Sequence, residues 1–112
     1  MRQSKPKRHG QVIGLKPEAY ASYVEYHRDV WPEVLEIIHS CGIRNYSIFC
    51  KDNILFAYFE YVGDNFEADM AKMAADPTTQ EWWAVMKPMQ QPMPTRAEGE
   101  WWADMKEVFH VD

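Results

Sequence analysis

Apolar and aromatic side chains recur every three or four residues in the first part of the chain, a spacing typical of helices that bury one face. Pro17 is well placed as the first residue of such a helix. Pro32 interrupts the pattern and opens a second helical segment, which Gly42 ends. The predicted buried positions of the first segment are Tyr20, Tyr23, Val24, His27, Val30 and Trp31.

A second pattern, rich in β-branched and aromatic residues, predicts strands. They are expected at residues 11–15, 43–50 and 54–62, and the connection "KDN" favours a tight hairpin between the last two. The proline-rich stretch from Gln90 to Gly99 favours neither helix nor strand. The remaining predicted elements are a helix over residues 66–75, a short helix opened by Asp76 and Pro77, and a final strand over residues 105–111.

This order of elements predicts an α+β fold with a ferredoxin-like βαββαβ arrangement and an antiparallel sheet. One strand suggests more, because both of its faces are apolar. Residues 54–61 alternate between Ile54, Phe56 and Tyr58 on one face and Leu55, Ala57, Phe59 and Tyr61 on the other. An antiparallel sheet commonly leaves one face to water, so a second apolar face needs a partner subunit or a ligand to cover it. We expect a homodimer with a pocket near that open face.

Length and charge narrow the classes of function. A chain of 112 residues allows one domain, which we place at residues 9–112 after a flexible tail over residues 1–8. The net charge of −5 disfavours nucleic acid and anionic membranes as partners, because both bind clustered basic side chains. No stretch resembles a membrane span or a signal peptide, so a cytoplasmic protein is expected.

The sequence carries no signature of a metal or cofactor. No histidine pair has a metal-binding spacing, no Cys-x-x-Cys occurs, and the five glycines are too dispersed for a phosphate-binding loop. Cys41 and Cys50 lie in apolar patterns and are expected to be buried free thiols. His9 lies at the end of the amino-terminal tail. His39 falls on the outer side of the second helix, and His110 lies near the end of the last strand. We therefore expect neither a metal nor a cofactor.

Tyr23 and His27 are the candidate catalytic pair. Four residues apart on a predicted helix, they share one face and can reach one small molecule. An imidazole gives or takes a proton near neutral pH, and a phenol can donate and accept hydrogen bonds. Sixteen of the 112 residues are aromatic, which suits stacking on a polar ligand such as a sugar. The alternative is that the pair and the other aromatic residues only build the core.

Five stretches together resemble the L-rhamnose mutarotase family, in order from about residue 10 to the carboxyl terminus. They are "YVEYHRDVWPEVLEII", "IRNYSIF", "LFAYFEY", "QEWWAVM" and "MKEVFHVD". The most specific piece is the spaced pattern Tyr-x-x-x-His-x-x-x-Trp-Pro-Glu, which Tyr23, His27, Trp31, Pro32 and Glu33 occupy. The resemblance implies a dimeric α+β barrel that interconverts the α and β anomers of a 6-deoxy-L-hexose, either L-rhamnose or L-fucose, without a cofactor.

The resemblance also implies roles for particular residues. His27 corresponds to the proton donor of the family and Tyr23 to a substrate-binding residue on the same helix. Tyr46, Trp82 and Trp83 correspond to further sugar-contacting positions. Our hypothesis is that His27 protonates the ring oxygen while Tyr23, or a water that it holds, assists at the anomeric hydroxyl.

Two other functions are compatible with a small α+β barrel. One is a cofactor-independent monooxygenase, and the other is a non-catalytic module that binds a small molecule. The Tyr-x-x-x-His pattern favours the mutarotase, because a pocket for a hydrophobic ligand has no evident use for a proton-transfer pair.

The tetrapeptide "EWWA" occurs twice, at residues 81–84 and 100–103. We assign Trp82 and Trp83 of the first copy to the pocket. Trp101 and Trp102 of the second copy are expected to cover the barrel or a dimer interface, because no family function corresponds to them. No repeat architecture accompanies the two copies, so the repetition is interpreted as coincidence.

Overall fold

A computed structural model of the protein describes residues 5–112, and one antiparallel sheet runs through them. In spatial order its strands are β2, β3, β1 and β4, and β5 pairs with β1 as well. This order is that of a ferredoxin-like arrangement, so the predicted fold class is confirmed. The strands are β1 (Lys7–Leu15), β2 (Ile43–Lys51), β3 (Ile54–Tyr61), β4 (Gln90–Gln91) and β5 (Ala103–Met105), and the helices are α1 (Tyr20–Arg28), α2 (Pro32–Ser40), α3 (Phe66–Ala75) and α4 (Pro77–Met86).

The hairpin between β2 and β3 forms where the sequence predicts it. Asp52 and Asn53 make a two-residue turn, and their φ angles of 51° and 61° are both positive. Two positive φ angles match a type I′ turn, whose twist suits the strands on either side. Lys51 and Ile54 accordingly pair at the base of the hairpin.

The first predicted helix is interrupted earlier than expected. A 3₁₀ turn over Pro17–Ala19 precedes α1, and α1 ends at Arg28. Asp29 has φ −146° and ψ 69°, outside the helical region, and Trp31 is extended as expected for a residue before proline. Pro32 is then the first residue of α2, which turns the chain so that both helices lie over the sheet.

The end of the chain differs from the prediction. β5 covers Ala103–Met105, and residues 106–112 form no regular structure. Past Met105 the chain stays beside β1 through side chains, with Arg8 Nη2 donating to Glu107 Oε1 at 2.8 Å. The predicted strand over 105–111 is therefore wrong in all but its first residue. His110 lies outside any strand, and its Nε2 is 2.9 Å from Asp112 Oδ1.

The first strand is longer than the predicted strand over residues 11–15. β1 begins at Lys7, so Lys7 and Arg8 belong to the sheet, whereas residues 1–4 of the predicted tail lie outside the described residues.

Both cysteines are free thiols, but only Cys41 is buried. Cys50 is exposed, because β2 is the edge strand of the sheet.

The helices cover one face of the sheet and leave the other open. The main core joins Ile13, Leu15 and Leu55 of the sheet to buried side chains of all the long helices except α3. On the opposite face, Phe49 and Phe56 are cross-strand partners and remain 65% and 40% exposed. Within residues 5–112, no helix is long and apolar enough to cross a membrane.

Asp76 links α3 to α4, and its replacement tests this junction. Its carboxylate accepts hydrogen bonds from the backbone N–H of Thr79 at 2.9 Å and from the Thr79 hydroxyl at 3.0 Å. Asp76→Ala should lower the free energy of unfolding by about 1 kcal/mol, because an N-cap is lost. Urea denaturation measures this change, with the exposed Asp64→Ala as control. Equal stability of Asp76→Ala and wild type would contradict the capping role.

Candidate active site

A cavity of about 580 Å³ lies between the helices and the inner face of the sheet. Its lining includes all five residues that the sequence predicts for the site. A smaller and more open depression of about 250 Å³ on α1 contains none of them. The residues that line the larger cavity are Gln11, Tyr23, His27, Val30, Val34, Leu35, Ile38, Ile43, Tyr46, Ile48, Phe59, Met70, Met73, Thr79, Trp82, Trp83, Met86, Lys87, Gln90, Trp101 and Trp102.

The predicted pair on α1 is held in a defined orientation by the helix itself. His27 Nδ1 lies 2.8 Å from the backbone carbonyl oxygen of Tyr23. A carbonyl oxygen can only accept, so Nδ1 carries a hydrogen and Nε2 is the nitrogen available to a ligand. The two rings stack with their centroids 4.3 Å apart. The four-residue spacing therefore fixes both the tautomer of His27 and its position beside Tyr23.

Trp82 and Trp83 leave α4 in different directions. Trp82 is buried and meets the ring of His27 edge-on at 5.4 Å and that of Trp31 at 5.1 Å. Trp83 is half-buried, and the ammonium of Lys87 lies 5.5 Å from its ring centroid. Trp82 thus forms an inner wall against the predicted pair, and Trp83 forms a wall nearer the solvent.

A β-bulge brings Tyr46 into the cavity. Arg44 pairs with Glu60 and Ser47 with Tyr58, so Asn45 and Tyr46 together oppose the single residue Phe59. Side chains of a regular strand alternate between faces, and one extra residue reverses that alternation. Tyr46 consequently lies on the inner face, with its ring 5.7 Å from that of Phe59.

Asn45 provides the backbone geometry of this bulge. Its φ of 51° lies in the left-handed region, which asparagine tolerates better than most residues. Its amide donates to Glu60 Oε1 at 2.8 Å, and the Tyr58 hydroxyl donates to Glu60 Oε2 at 2.7 Å. The hydrogen bonds from Asn45 and then from Tyr58 lower the pKa of Glu60. The pair Asn45-Tyr46 therefore works as a unit, in which the first residue turns the chain and the second reaches the cavity.

The two tyrosines of the site both resist ionisation. Burial raises the pKa of Tyr46 to about 12, and the nearby Tyr23 adds to the effect. The Tyr46 side chain as a whole is 43% exposed, because it borders the cavity. Burial also raises the pKa of Tyr23, against a smaller lowering by a hydrogen bond from Gln90. At neutral pH both phenols keep their protons and can act as hydrogen-bond donors.

The second "EWWA" copy lies at the cavity as well, since Trp101 and Trp102 both line it, and Trp102 also packs against the main core. Trp101 Nε1 donates to Gln90 Oε1 at 2.7 Å, and Gln90 Nε2 donates to the Tyr23 hydroxyl at 3.1 Å. Sequence reasoning missed Gln90, because it lies in a stretch that appeared irregular and carries no motif. It occupies β4, which pairs with the end of β1.

The prediction that His9 lies in the amino-terminal tail is wrong. His9 lies in β1, and its ring is stacked between those of Phe59 and Phe66, at centroid distances of 4.8 and 4.6 Å. Burial lowers its pKa. Among residues 5–112, its Nε2 finds no hydrogen-bond partner. Although Phe59 also borders the cavity, His9 is not among the lining residues.

Comparison with known proteins identifies the family. The family model described as L-rhamnose mutarotase matches residues 8–111. The chain belongs to the L-rhamnose mutarotase family. An L-rhamnose mutarotase from Oceanobacillus iheyensis is 36% identical over 109 residues, which are 95% of this chain and 99% of the relative. The resemblance seen in the sequence is therefore confirmed.

Solved structures support the fold of this family. The crystal structure of an L-rhamnose mutarotase from Formosa agariphila matches with a TM-score of 0.75 at 26% identity, covering 95% of this chain and 99% of that one. Tetracenomycin F2 cyclase from Streptomyces glaucescens, a polyketide cyclase, matches with a TM-score of 0.62 at 16% identity, over 95% and 99% of the two chains. The second likeness is one of fold alone.

The bulge of this mutarotase-family chain can be tested at Asn45. Asn45→Gly has no Cβ and adopts a positive φ freely, whereas Asn45→Ala keeps the Cβ in the left-handed region, which costs about 1–2 kcal/mol relative to glycine. Both variants lose the hydrogen bond to Glu60. The alanine variant should therefore unfold at lower urea concentration than the glycine variant. Equal midpoints for the two variants would contradict a backbone role for Asn45.

Proposed function

We propose that this protein is a mutarotase, an isomerase that interconverts the α and β anomers of a 6-deoxy-L-hexose, L-rhamnose or L-fucose. Membership of the L-rhamnose mutarotase family supports the reaction. The observation that carries the proposal is the orientation of His27, whose Nε2 is left for a ligand in a cavity of sufficient size. No cofactor is needed, because the chemistry consists of proton transfers.

Ring opening requires one proton to arrive at the ring oxygen and another to leave the anomeric hydroxyl. In the proposed route, His27 acts as the imidazolium, with a hydrogen on each nitrogen, and its Nε2 proton passes to the ring oxygen as the C1–O bond of the ring breaks. The anomeric hydroxyl loses its proton to a water held beside Tyr23, and its oxygen becomes the carbonyl oxygen of the aldehyde. Rotation about the C1–C2 bond and reversal of these steps give the other anomer. An acid or base placed in this way contributes about 10² to 10⁴ in rate.

The walls of the cavity suit a sugar that carries a methyl group. Trp82 and Trp83 would stack on the apolar faces of the ring, and the Tyr46 hydroxyl would donate a hydrogen bond to a ring hydroxyl. The lining also includes the apolar side chains of Phe59, Met70 and Met73. Apolar side chains of this kind suit the methyl group of a 6-deoxy sugar.

His27→Ala tests the reaction and the role of the imidazole together. The variant should slow anomer exchange at least about 100-fold, because the acid is removed. Saturation-transfer NMR measures exchange between the α and β signals of L-rhamnose and, separately, of L-fucose. The exposed His39→Ala is the matched control and should exchange anomers at the wild-type rate.

Each alternative outcome has a distinct meaning. A folded His27→Ala variant as fast as wild type would show that the assignment is wrong. Tight sugar binding by wild type without anomer exchange would indicate a binding module instead. The sugar with the larger catalysed rate identifies the substrate.

The cytoplasmic location expected from the sequence stays a prediction.

We also propose that two copies of the chain associate through the open face of the sheet. Phe49, Phe56 and Met105 leave apolar area on this face, at 65%, 40% and 42% exposure. The segment after β5 adds Val108 and Phe109, which are 89% and 79% exposed. Exposed apolar groups that lie together on one side of a small protein favour burial against a partner. A second copy offers the same self-complementary surface.

Phe49→Glu tests the dimer. A charge on this apolar face should shift the protein to monomer, as measured by sedimentation velocity at several concentrations. Tyr20→Glu introduces the same charge at another exposed aromatic residue, on α1 and away from the open face. It should leave the mass unchanged. A wild-type protein that sediments as a monomer would overturn this part of the proposal.

A further inference from the structure

We propose that Gln90 and Trp101 are positioning residues that hold the Tyr23 hydroxyl as a hydrogen-bond donor toward the bound sugar. The inference rests on the proposed function, since it concerns the same site. It assigns a role to the second "EWWA" copy and a direction to every hydrogen bond behind the catalytic pair.

The direction begins at Trp101. An indole Nε1 carries a hydrogen and has no lone pair to offer, so it can only donate. Its partner 2.7 Å away must therefore be the oxygen of the Gln90 amide. Amide oxygen and nitrogen are often exchangeable in structures, but here a partner that can only donate fixes which is which. The amide nitrogen of Gln90 then faces Tyr23.

The direction continues through Gln90 to Tyr23. Gln90 Nε2 lies 3.1 Å from the Tyr23 hydroxyl and has only hydrogens to give. The Tyr23 oxygen therefore accepts this bond, and its own hydrogen remains for another acceptor. Gln90 and Tyr23 are 6% and 4% exposed, so water does not compete readily for either group. Tyr23 lines the cavity, where the available acceptor is an oxygen of the ligand.

Trp101 is itself held at the mouth of the cavity. The Lys87 ammonium lies 5.5 Å from the ring centroid of Trp101 and 5.5 Å from that of Trp83. A cation near the faces of two indoles attracts both rings. Lys87 thus connects one tryptophan from each "EWWA" copy and fastens the chain after the proline-rich loop over α4.

A fixed donor at Tyr23 matches the chemistry of ring opening. The anomeric oxygen becomes the carbonyl oxygen of the aldehyde, and an O–H aimed at it stabilises that carbonyl. Because Gln90 already donates a hydrogen bond to the Tyr23 oxygen, the Tyr23 hydroxyl need not reorient during the reaction. Donors arranged before the reaction avoid this reorganisation in the transition state.

Gln90→Glu reverses the direction with little change in shape. A carboxylate accepts from both Trp101 and Tyr23, so the Tyr23 proton turns away from the sugar. The expected result is a loss of kcat of at least about tenfold, with a smaller change in KM. The exposed Gln91→Glu makes the same chemical change on the next residue and should keep wild-type kinetics. A kcat for Gln90→Glu equal to that of Gln91→Glu would overturn the proposal.

A double-mutant cycle tests the hydrogen-bond relay from Trp101 through Gln90 to Tyr23 without introducing a buried charge. Trp101→Phe keeps the aromatic ring near Lys87 but removes the N–H, and should lower kcat several-fold. Because its effect acts through Gln90, the same change should have no effect in a Gln90→Met background. An equal loss in both backgrounds would contradict the relay. In Gln90→Met, the alkaline limb of the kcat profile should move to higher pH, because the donated bond that lowers the pKa of Tyr23 is gone.

A readout without catalysis separates this inference from the proposed function. The indole N–H resonance of Trp101 is identified in a nitrogen–proton correlation spectrum by its disappearance in Trp101→Phe. In Gln90→Met that resonance should shift and exchange faster with heavy water. Unchanged exchange would overturn the relay even in an active mutarotase. If the Trp101 N–H is protected from exchange in wild type and loses this protection in Gln90→Met, the relay is supported even if no sugar is turned over.

Discussion

The contact between Trp82 and the helical pair α1–α2 is the constraint on which the rest of the site depends. Its indole is 6% exposed and meets the rings of Tyr26, His27 and Trp31 edge-on, at centroid distances of 5.1 to 6.1 Å. One side chain of α4 therefore sets the distance from the sheet of both α1 and Trp31, the residue before α2. Edge-to-face contacts of this kind add about 0.5–1.5 kcal/mol each beyond the area that they bury. A smaller residue here would let α1 approach the sheet and fill the cavity that His27 borders.

The cavity follows from how the helices cover the sheet. The core under α1, α2 and α4 contains the buried side chains of Ile13, Leu15 and Leu55, whereas aromatic rings and methionines line the space between sheet and helices. Polar groups enter this space from three directions: His27 from α1, Tyr46 from the bulged edge strand and Gln90 from β4. Each is held by the backbone or by a second side chain, so the donors are in place before a ligand arrives. Such preorganisation suits a reaction whose intermediates differ from the substrate mainly in the position of protons.

The polar groups of the site are oriented in two ways, by contacts that are local in sequence and by contacts that are distant in sequence. His27 is oriented locally, because a residue four positions earlier supplies the carbonyl that accepts its Nδ1 hydrogen. Tyr23 is oriented by contacts that span 67 and then 11 positions of sequence, through Gln90 and Trp101. The first arrangement survives wherever α1 forms, while the second requires the sheet to close around β4. We therefore expect the loop before β5 to influence the proposed proton-transfer pair, although it is remote from that pair in sequence.

The sequence by itself determined most of the elements and the local pairing of Tyr23 with His27. Hydrophobic spacing indicated the helices and the hairpin, and the i, i+4 relation placed Tyr23 beside His27, because helical and strand periodicities are local properties. The tertiary structure decided where the chain's end runs, which cysteine is buried, and what the second "EWWA" copy does. Trp101 reaches Gln90 only when β4 and β5 both join β1, and no short-range pattern encodes that meeting. The direction of the Tyr23 hydroxyl is decided last, because it depends on which atoms meet once these strands have paired.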